Sequence, residues 1–265
     1  MSCEARTSDF LLSTATLMVG PRDKVMELTP EKHSLGLIKN VQVGTEPQFV
    51  SLTQGVEAVE VASVNVANPA KLSGEVYEFT ARNFAYGAGI DAGGVNFDPI
   101  TEQYSLGAVI SNGGATITVG TGEGADFAIG EFFLIQDTDQ EDRVHVGKVA
   151  SKASDVLTLA SDYTMPTGTT YAVATTVIYR VRNIKVGSQL KRPLYGIKLV
   201  GTLPESGEPI TAIFPKVRIT RGLSLAFSNE NFSNMPFEFM PQALLPTDPY
   251  YSDYGGKKTF SLLKR

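Results

Sequence analysis

The chain has no tryptophan, one cysteine and two histidines in 265 residues. Because Cys3 stands alone, an intrachain disulfide framework and a cysteine-based metal site are both excluded. His33 and His145 have no neighbours at the spacing of a catalytic triad or a zinc site, so both read as surface or structural residues. No window approaches the roughly 18 apolar residues that a membrane-spanning helix needs. The opening residues, Met1 to Asp9, lack the basic-then-apolar profile of a secretory signal. Synthesis and assembly in a cytosol is therefore the expectation, without membrane insertion.

What the chain does have is punctuation. Its 25 glycines and 14 prolines are spread between short runs rich in Val, Ile, Thr and Tyr. Many short strands joined by turns follow from that composition, hence an all-β fold. The net charge of −5 is unevenly placed. Residues 179–265 carry 13 basic and 6 acidic side chains, while residues 104–178 carry 3 and 9. Complementary fields of this kind fix register when copies of a chain pack together.

Along the chain, Phe10–Val19 reads as a first strand and residues 20–35 as a long exposed loop. Alternation around Leu37, Val41 and Val43 marks a second strand. In Val56–Val66 the apolar phase changes, with Val59 and Val61 on one face and Val64 and Val66 on the other. That pattern fits a bulge, or a strand covered on both faces. Leu72–Phe79 is the next strand. A short helix follows, capped by Thr80, with an apolar stripe of Ala81, Phe84, Ala85 and Ala88 and a stop at Gly87 and Gly89. Residues 104–178 form close-set short strands separated by Gly, Asp and Ser turns. They read as a small β-barrel or sandwich inserted into a discontinuous host domain of residues 1–103 and 179–265. The host resumes with strands at Tyr179–Val186, Tyr195–Leu203, Ile210–Ile219 and Gly222–Ser228. After Asn229 the tail is aromatic with little periodicity, and it must lie over something because its Phe and Leu residues cannot all stay exposed.

Catalytic and binding motifs fail in turn. The acidic run from Asp137 to Asp142 places Asp142 where a calcium loop needs Gly and Lys148 where it needs Glu, so it is a solvated turn. Gly120-Thr121-Gly122-Glu123-Gly124 lacks the Lys-Ser/Thr of a phosphate loop. Asn231-Phe232-Ser233 matches a glycosylation acceptor by chance. Glu57/Glu60 and Glu75/Glu78 are three apart on strands, which puts the members of each pair on opposite faces. No nucleophile, base and oxyanion donors assemble from the remainder, so neither catalytic residues nor a metal or other cofactor are expected.

One ordered set of words stands out. Gly36-Leu37-Ile38-Lys39-Asn40 leads to Glu46-Pro47 and to Leu52-Thr53-Gln54-Gly55. Then comes Glu75-Val76-Tyr77-Glu78-Phe79-Thr80-Ala81-Arg82-Asn83-Phe84-Ala85-Tyr86-Gly87. Near the end stand Pro215-Lys216-Val217-Arg218-Ile219-Thr220-Arg221-Gly222-Leu223-Ser224-Leu225-Ala226-Phe227 and Met235-Pro236-Phe237-Glu238-Phe239. In order and strand context these words resemble the major tail tube proteins of tailed bacteriophages, over residues 8–100 and 179–245.

The resemblance implies two antiparallel sheets packed nearly orthogonally with one flanking helix, six subunits per ring, and rings stacked into a hollow conduit for DNA. Its implied partners are further copies of the chain, the tape-measure, tail-terminator and baseplate or tip proteins, and DNA that passes without specific binding. The implied location is the virion tail, reached from the host cytoplasm. The inserted module would lie on the tube exterior. A lumen free of cationic traps lets DNA slide, which makes Glu46, Glu57, Glu60, Glu75 and Glu78 the candidate lumen residues, although alternation lets only some of them face inward. Candidate subunit and ring contacts are Arg22, Lys24, Glu27, Glu31 and Lys32 in the loop, and Phe237, Phe239, Tyr250, Tyr251 and Tyr254 in the tail. The competing reading is a carbohydrate-binding or adhesin module of a phage particle, but the missing tryptophan removes the usual aromatic platform. A hydrolase on a β scaffold lacks a coherent site.

Overall fold

The computed structural model describes residues 15–54, 59–90, 100–110, 113–187, 192–204, 207–225, 232–255 and 258–264. Strands account for 49% of it and helices for 15%, which shows the all-β class. The chain divides into two compact units, one of Met1–Phe97 with Val186–Arg265, the other of Asp98–Lys185.

In chain order the first unit opens with β1 (Ala15–Pro21), a 3-10 turn at Arg22–Glu27, α1 (Pro30–His33), β2 (Ile38–Thr45), β3 (Gln48–Gln54), β4 (Val59–Ala67), β5 (Ala70–Val76) and α2 (Ala81–Ala88). The second unit supplies β6 (Gln103–Ser105), β7 (Thr116–Thr118), β8 (Phe132–Asp137), β9 (Gln140–Ala153), β10 (Val156–Leu159) and β11 (Thr176–Val181). The first unit then resumes with β12 (Tyr195–Thr202), β13 (Pro209–Arg221), β14 (Met235–Pro241), α3 (Tyr251–Tyr254) and β15 (Ser261–Lys264).

The two sheets expected of the host are hydrogen-bonded into one in the first unit. Its order is β1-β12-β13-β14-β5-β2, with β15 added beside β13. The 13-residue β13 joins the two arms. Its pairing with β12 runs Ile197↔Phe214 and then Tyr195↔Val217, so Pro215 and Lys216 together face a single residue of β12. Such a bulge bends a strand, and it tolerates a proline that has no N–H to give. Leu17 and Val19 of β1, Ile197 of β12, Phe214 and Val217 of β13, Phe237 and Phe239 of β14, and Leu72 and Val76 of β5 share one core. On the opposite side of the first arm, Met18, Val25, Leu28, Ile213, Leu244 and Tyr254 form a second cluster.

Several expectations change here. Residues 20–35 are not a bare loop: the 3-10 turn and α1 occupy them, and Val25, Leu28 and Leu35 are buried. The tail is not aperiodic, because β14 alternates buried Met235, Phe237, Phe239 and Pro241 with residues that are more exposed. β13 ends at Arg221, and Gly222 to Leu225 form no strand, while Ala226 to Ser228 of the strand expected there lie outside the described residues. The helix keeps its expected caps, with the Asn83 N–H donating to Thr80 Oγ1 at 3.2 Å and Gly89 left-handed at φ 72°. Its buried face is rotated, however: Asn83, Ala85, Tyr86 and Gly87 point inward, and of the expected stripe only Ala85 is buried. Gly87 causes this. A Cβ there would sit 2.8 Å from the Gly222 carbonyl carbon and the Leu223 nitrogen. Two glycines thus let helix and chain touch backbone to backbone.

The second unit is a six-stranded sheet, β6-β11-β8-β9-β10-β7, and a Leu106↔Val119 bridge links its two ends into a barrel. Residues 179–181, expected to reopen the host, instead complete β11 in this barrel. Alternation drives its core: Phe133 and Ile135 of β8 point inward with Leu157, Ile178, Tyr104 and Phe127. The Phe127 ring lies 4.8 Å from Tyr104 and 5.8 Å from Phe133, centroid to centroid.

Candidate assembly surface

β3 and β4 form a two-stranded sheet of their own among the described residues. It continues the β2–β5 hairpin outward. Thr45 pairs with Ala70, the Glu46 N–H donates to the Pro69 carbonyl at 3.0 Å, and Gln48 pairs with Ala67. The expected bulge is present. Leu52 faces Ala62 and Thr53 faces Glu60, so Val61 has no partner, and a second register shift leaves Val66 unpaired.

The other reading of this run, a strand covered on both faces, is not met within the chain itself. Phe49, Val50, Leu52, Val61, Val64 and Val66 are each 58–66% exposed. Scattered exposed apolar residues are ordinary, but six large ones on one two-stranded ribbon are an interaction surface in search of cover. Among the described residues no third strand pairs with the ribbon, and a two-stranded ribbon of this kind can be extended by another chain.

The candidate lumen glutamates separate. Glu57, and the side chain of Glu60, lie outside the described residues. Glu46 forms an exposed pair with Lys71 at 2.7 Å. Glu75 lies opposite Lys39 in the β2–β5 register and accepts hydrogen bonds from the Tyr77 hydroxyl and Asn234 Nδ2, both at 3.0 Å. Glu78 accepts from the Leu37 N–H at 2.8 Å. Glu238 of β14 lies 3.4 Å from Arg221. Cations are therefore placed among the carboxylates of β2, β5 and β14.

The candidate contacts also divide. Lys24, Glu27, Glu31 and Lys32 are exposed. Arg22 instead turns to its own chain and pairs with Asp248 at 2.7 Å. Phe237 and Phe239 are each 1% exposed and stacked on one another 5.6 Å apart, so neither reaches a neighbour: period-two alternation in β14 turns both into the core. Tyr254 is buried too, and Tyr250 and Tyr251 pack against the same cluster, with the Tyr250 hydroxyl donating to the Asp23 carbonyl at 2.9 Å.

Sequence reasoning missed Asp248. Its carboxylate accepts from Lys216 Nζ at 2.6 Å, Arg22 at 2.7 Å and the Leu245 N–H at 2.8 Å. The Leu245 N–H and the Lys216 ammonium, with Arg22 adding to them, hold its carboxyl at about 2 against an ordinary 3.8, while burial acts the other way. The β13 bulge turns Lys216 away from the main core toward this carboxylate.

No catalytic constellation forms among the described residues. His33 Nδ1 accepts from the Thr29 N–H at 3.1 Å, and burial pushes its pKa down. His145 Nε2 is 3.0 Å from the Tyr163 carbonyl. Asp137 closes the β8–β9 turn, accepting from the Asp139 N–H and from Arg143. In the glycine-rich loop, Glu123 accepts from the Ser105 and Gly120 N–H groups. Among the described residues no three His, Cys, Asp or Glu side chains gather where a metal could sit, and no helix is long and apolar enough to cross a membrane. No protein-family model matches the chain, and no curated protein matches it significantly.

Proposed function

We propose that this chain is a structural, non-enzymatic subunit of a bacteriophage tail tube, polymerising as stacked six-membered rings into a hollow conduit for DNA ejection. The observation that carries this reading is the β3–β4 ribbon, whose six exposed apolar side chains call for other copies of the chain. The ordered tail-tube-like words of the sequence supply the kind of assembly. The outer face of β2, β5 and β14 is the candidate lumen wall. Lys71, Lys39 and Arg221 each have a carboxylate nearby, which lowers the hold that these cations would have on passing phosphates. Tape-measure, terminator and baseplate proteins are the further partners of this reading, and the virion tail is its location.

Negative-stain microscopy of the concentrated protein tests it. The expected result is hollow tubes about 100 Å wide, the size of a ring of β domains roughly 30 Å across. Val50→Asp with Val64→Asp should abolish them while leaving circular dichroism unchanged. A wild-type chain that sediments as a monomer at every concentration overturns the proposal.

A further inference from the structure

Among the described residues, the core of the first unit has an open end. Leu17 of β1, Leu199 of β12, Ala212 of β13 and Leu262 of β15 pair in one row across four strands, and Leu17 and Ala212 are buried in the core. Ala15, Gly201 and Ile210 form the next row, two residues along each strand and so on the same face. All of these except Leu17 line an open cleft of about 990 Å3, and Phe260 with the residues of β2 from Ile38 to Val43 completes the wall. Ile38, Val41, Leu199 and Phe260 also pack against the core. The cleft is therefore a continuation of the core. Small-molecule sites add a few convergent polar groups to apolar walls, but here the polar side chains of the lining, Lys39, Asn40 and Gln42, all belong to β2. With Ala15, Gly201 and Ala212 small on the other side, the space suits large apolar side chains.

The chain carries such side chains immediately before Ala15, which is itself a wall residue. Phe10, Leu11 and Leu12 stand three to five residues ahead of it. Phe10 to Thr14, the expected start of the first strand, lie outside the described residues. We infer that residues 10–12 fill the cleft of their own chain, with Leu11 turned into the core. The direction follows from β1. Met18 bridges Ser34 in the antiparallel sense, and the Leu35 N–H donates to the Leu17 carbonyl at 3.0 Å. Followed backward, β1 is thus led along the stretch that runs forward from Ser34 into β2. The reach fits as well: five steps of extended chain from Ala15 back to Phe10 cover about 17 Å, enough to pass along the wall of β2. Alternation places Leu17 and Ala15 on the core face, and the same period turns Leu11 inward and Leu12 outward. The contact needs no second copy, so it holds whether or not the chain assembles.

Two measurements on the full chain test it. In calorimetry, Leu11→Asp should lower the transition of the first unit by roughly 4–8 °C, whereas Leu12→Asp should move it by about 2 °C at most. Equal losses in the two variants, or no loss in Leu11→Asp, overturn the inference. Oxidative cross-linking in a Cys3→Ser background reads the contact itself. Leu11→Cys is combined with Leu262→Cys or with Val43→Cys, both exposed positions of the cleft lining. At least one pair should form a disulfide within one chain, seen at every protein concentration as a monomer that has lost its free thiols. Thiols that stay free in both pairs overturn the inference. Disulfide-linked dimers overturn it in favour of a cleft filled by a second copy.

Discussion

Replacing Asp248 with Asn probes what fastens the segment after β14 to the body. The carboxylate is 6% exposed, and it meets Lys216, itself 9% exposed, and Arg22 at 39%. Lowering a carboxyl pKa from 3.8 to about 2 corresponds to about 2.5 kcal/mol in favour of the charged folded form. Arg22 is open to solvent and its share is screened, which leaves about 2 kcal/mol. Asparagine keeps one acceptor but points its amide at two cations and an N–H, all donors. For a unit of this size the expected loss at pH 7 is roughly 4–8 °C in Tm. The sign with pH is fixed by the depressed pKa. The contribution is complete above the unfolded value of 3.8 and falls away as pH drops through about 2, where about 0.5 kcal/mol is left. Scanning calorimetry of wild type and Asp248→Asn at pH 7, 4, 3 and 2 should therefore show a gap that closes toward pH 2. A gap under 1 °C at pH 7, or one that persists undiminished at pH 2, refutes the reasoning.

Gly87→Ala should cost about 1–3 kcal/mol in thermal or urea unfolding, because its Cβ would meet the Gly222–Leu223 backbone at 2.8 Å and backbone cannot step aside as a flexible side chain can. Tyr86→Phe removes a buried hydroxyl that donates to the Val19 carbonyl at 3.0 Å, for a loss of about 1 kcal/mol. Burial raises the Tyr86 pKa to about 12, so the wild type should lose stability as pH climbs from 10 toward 12, and the phenylalanine variant should lack that part of the loss. Phe133→Ala empties a fully buried position in the barrel, at about 3–5 kcal/mol. Calorimetry should show the barrel's transition moving and that of the first unit staying in place.

Local signals in the sequence were informative where structure is local. Thr80 and Gly89 mark the ends of α2 because a cap needs only its own turn. The phase change in Val56–Val66 marks a bulge because an extra residue shifts alternation whatever surrounds it. β14 is a local strand that the sequence reading passed over: Met235, Phe237 and Phe239 alternate with Pro236, Glu238 and Met240, but the prolines argue against a strand unless the pairing register is known. Partnership at a distance left no local mark. Arg22 and Asp248 are 226 residues apart. Tyr179 looks the same whether its strand pairs with β8 or opens the host sheet. Nor does an apolar strand announce whether its cover is its own core or a second molecule, which is why the ribbon's exposure emerged only from the fold.

That exposure separates two tasks that often share residues. The core of the first unit draws on Leu17, Val19, Leu72, Val76, Ile197, Phe214, Phe237 and Phe239, and none of these lies on the ribbon. The ribbon's Val50, Leu52 and Val64 belong to no buried cluster of the described residues. Folding therefore does not depend on burying the ribbon, and a second copy that covers it adds apolar burial the monomer lacks. In the tube reading proposed above, a subunit made this way would fold completely before it met another copy, and assembly would then depend on concentration.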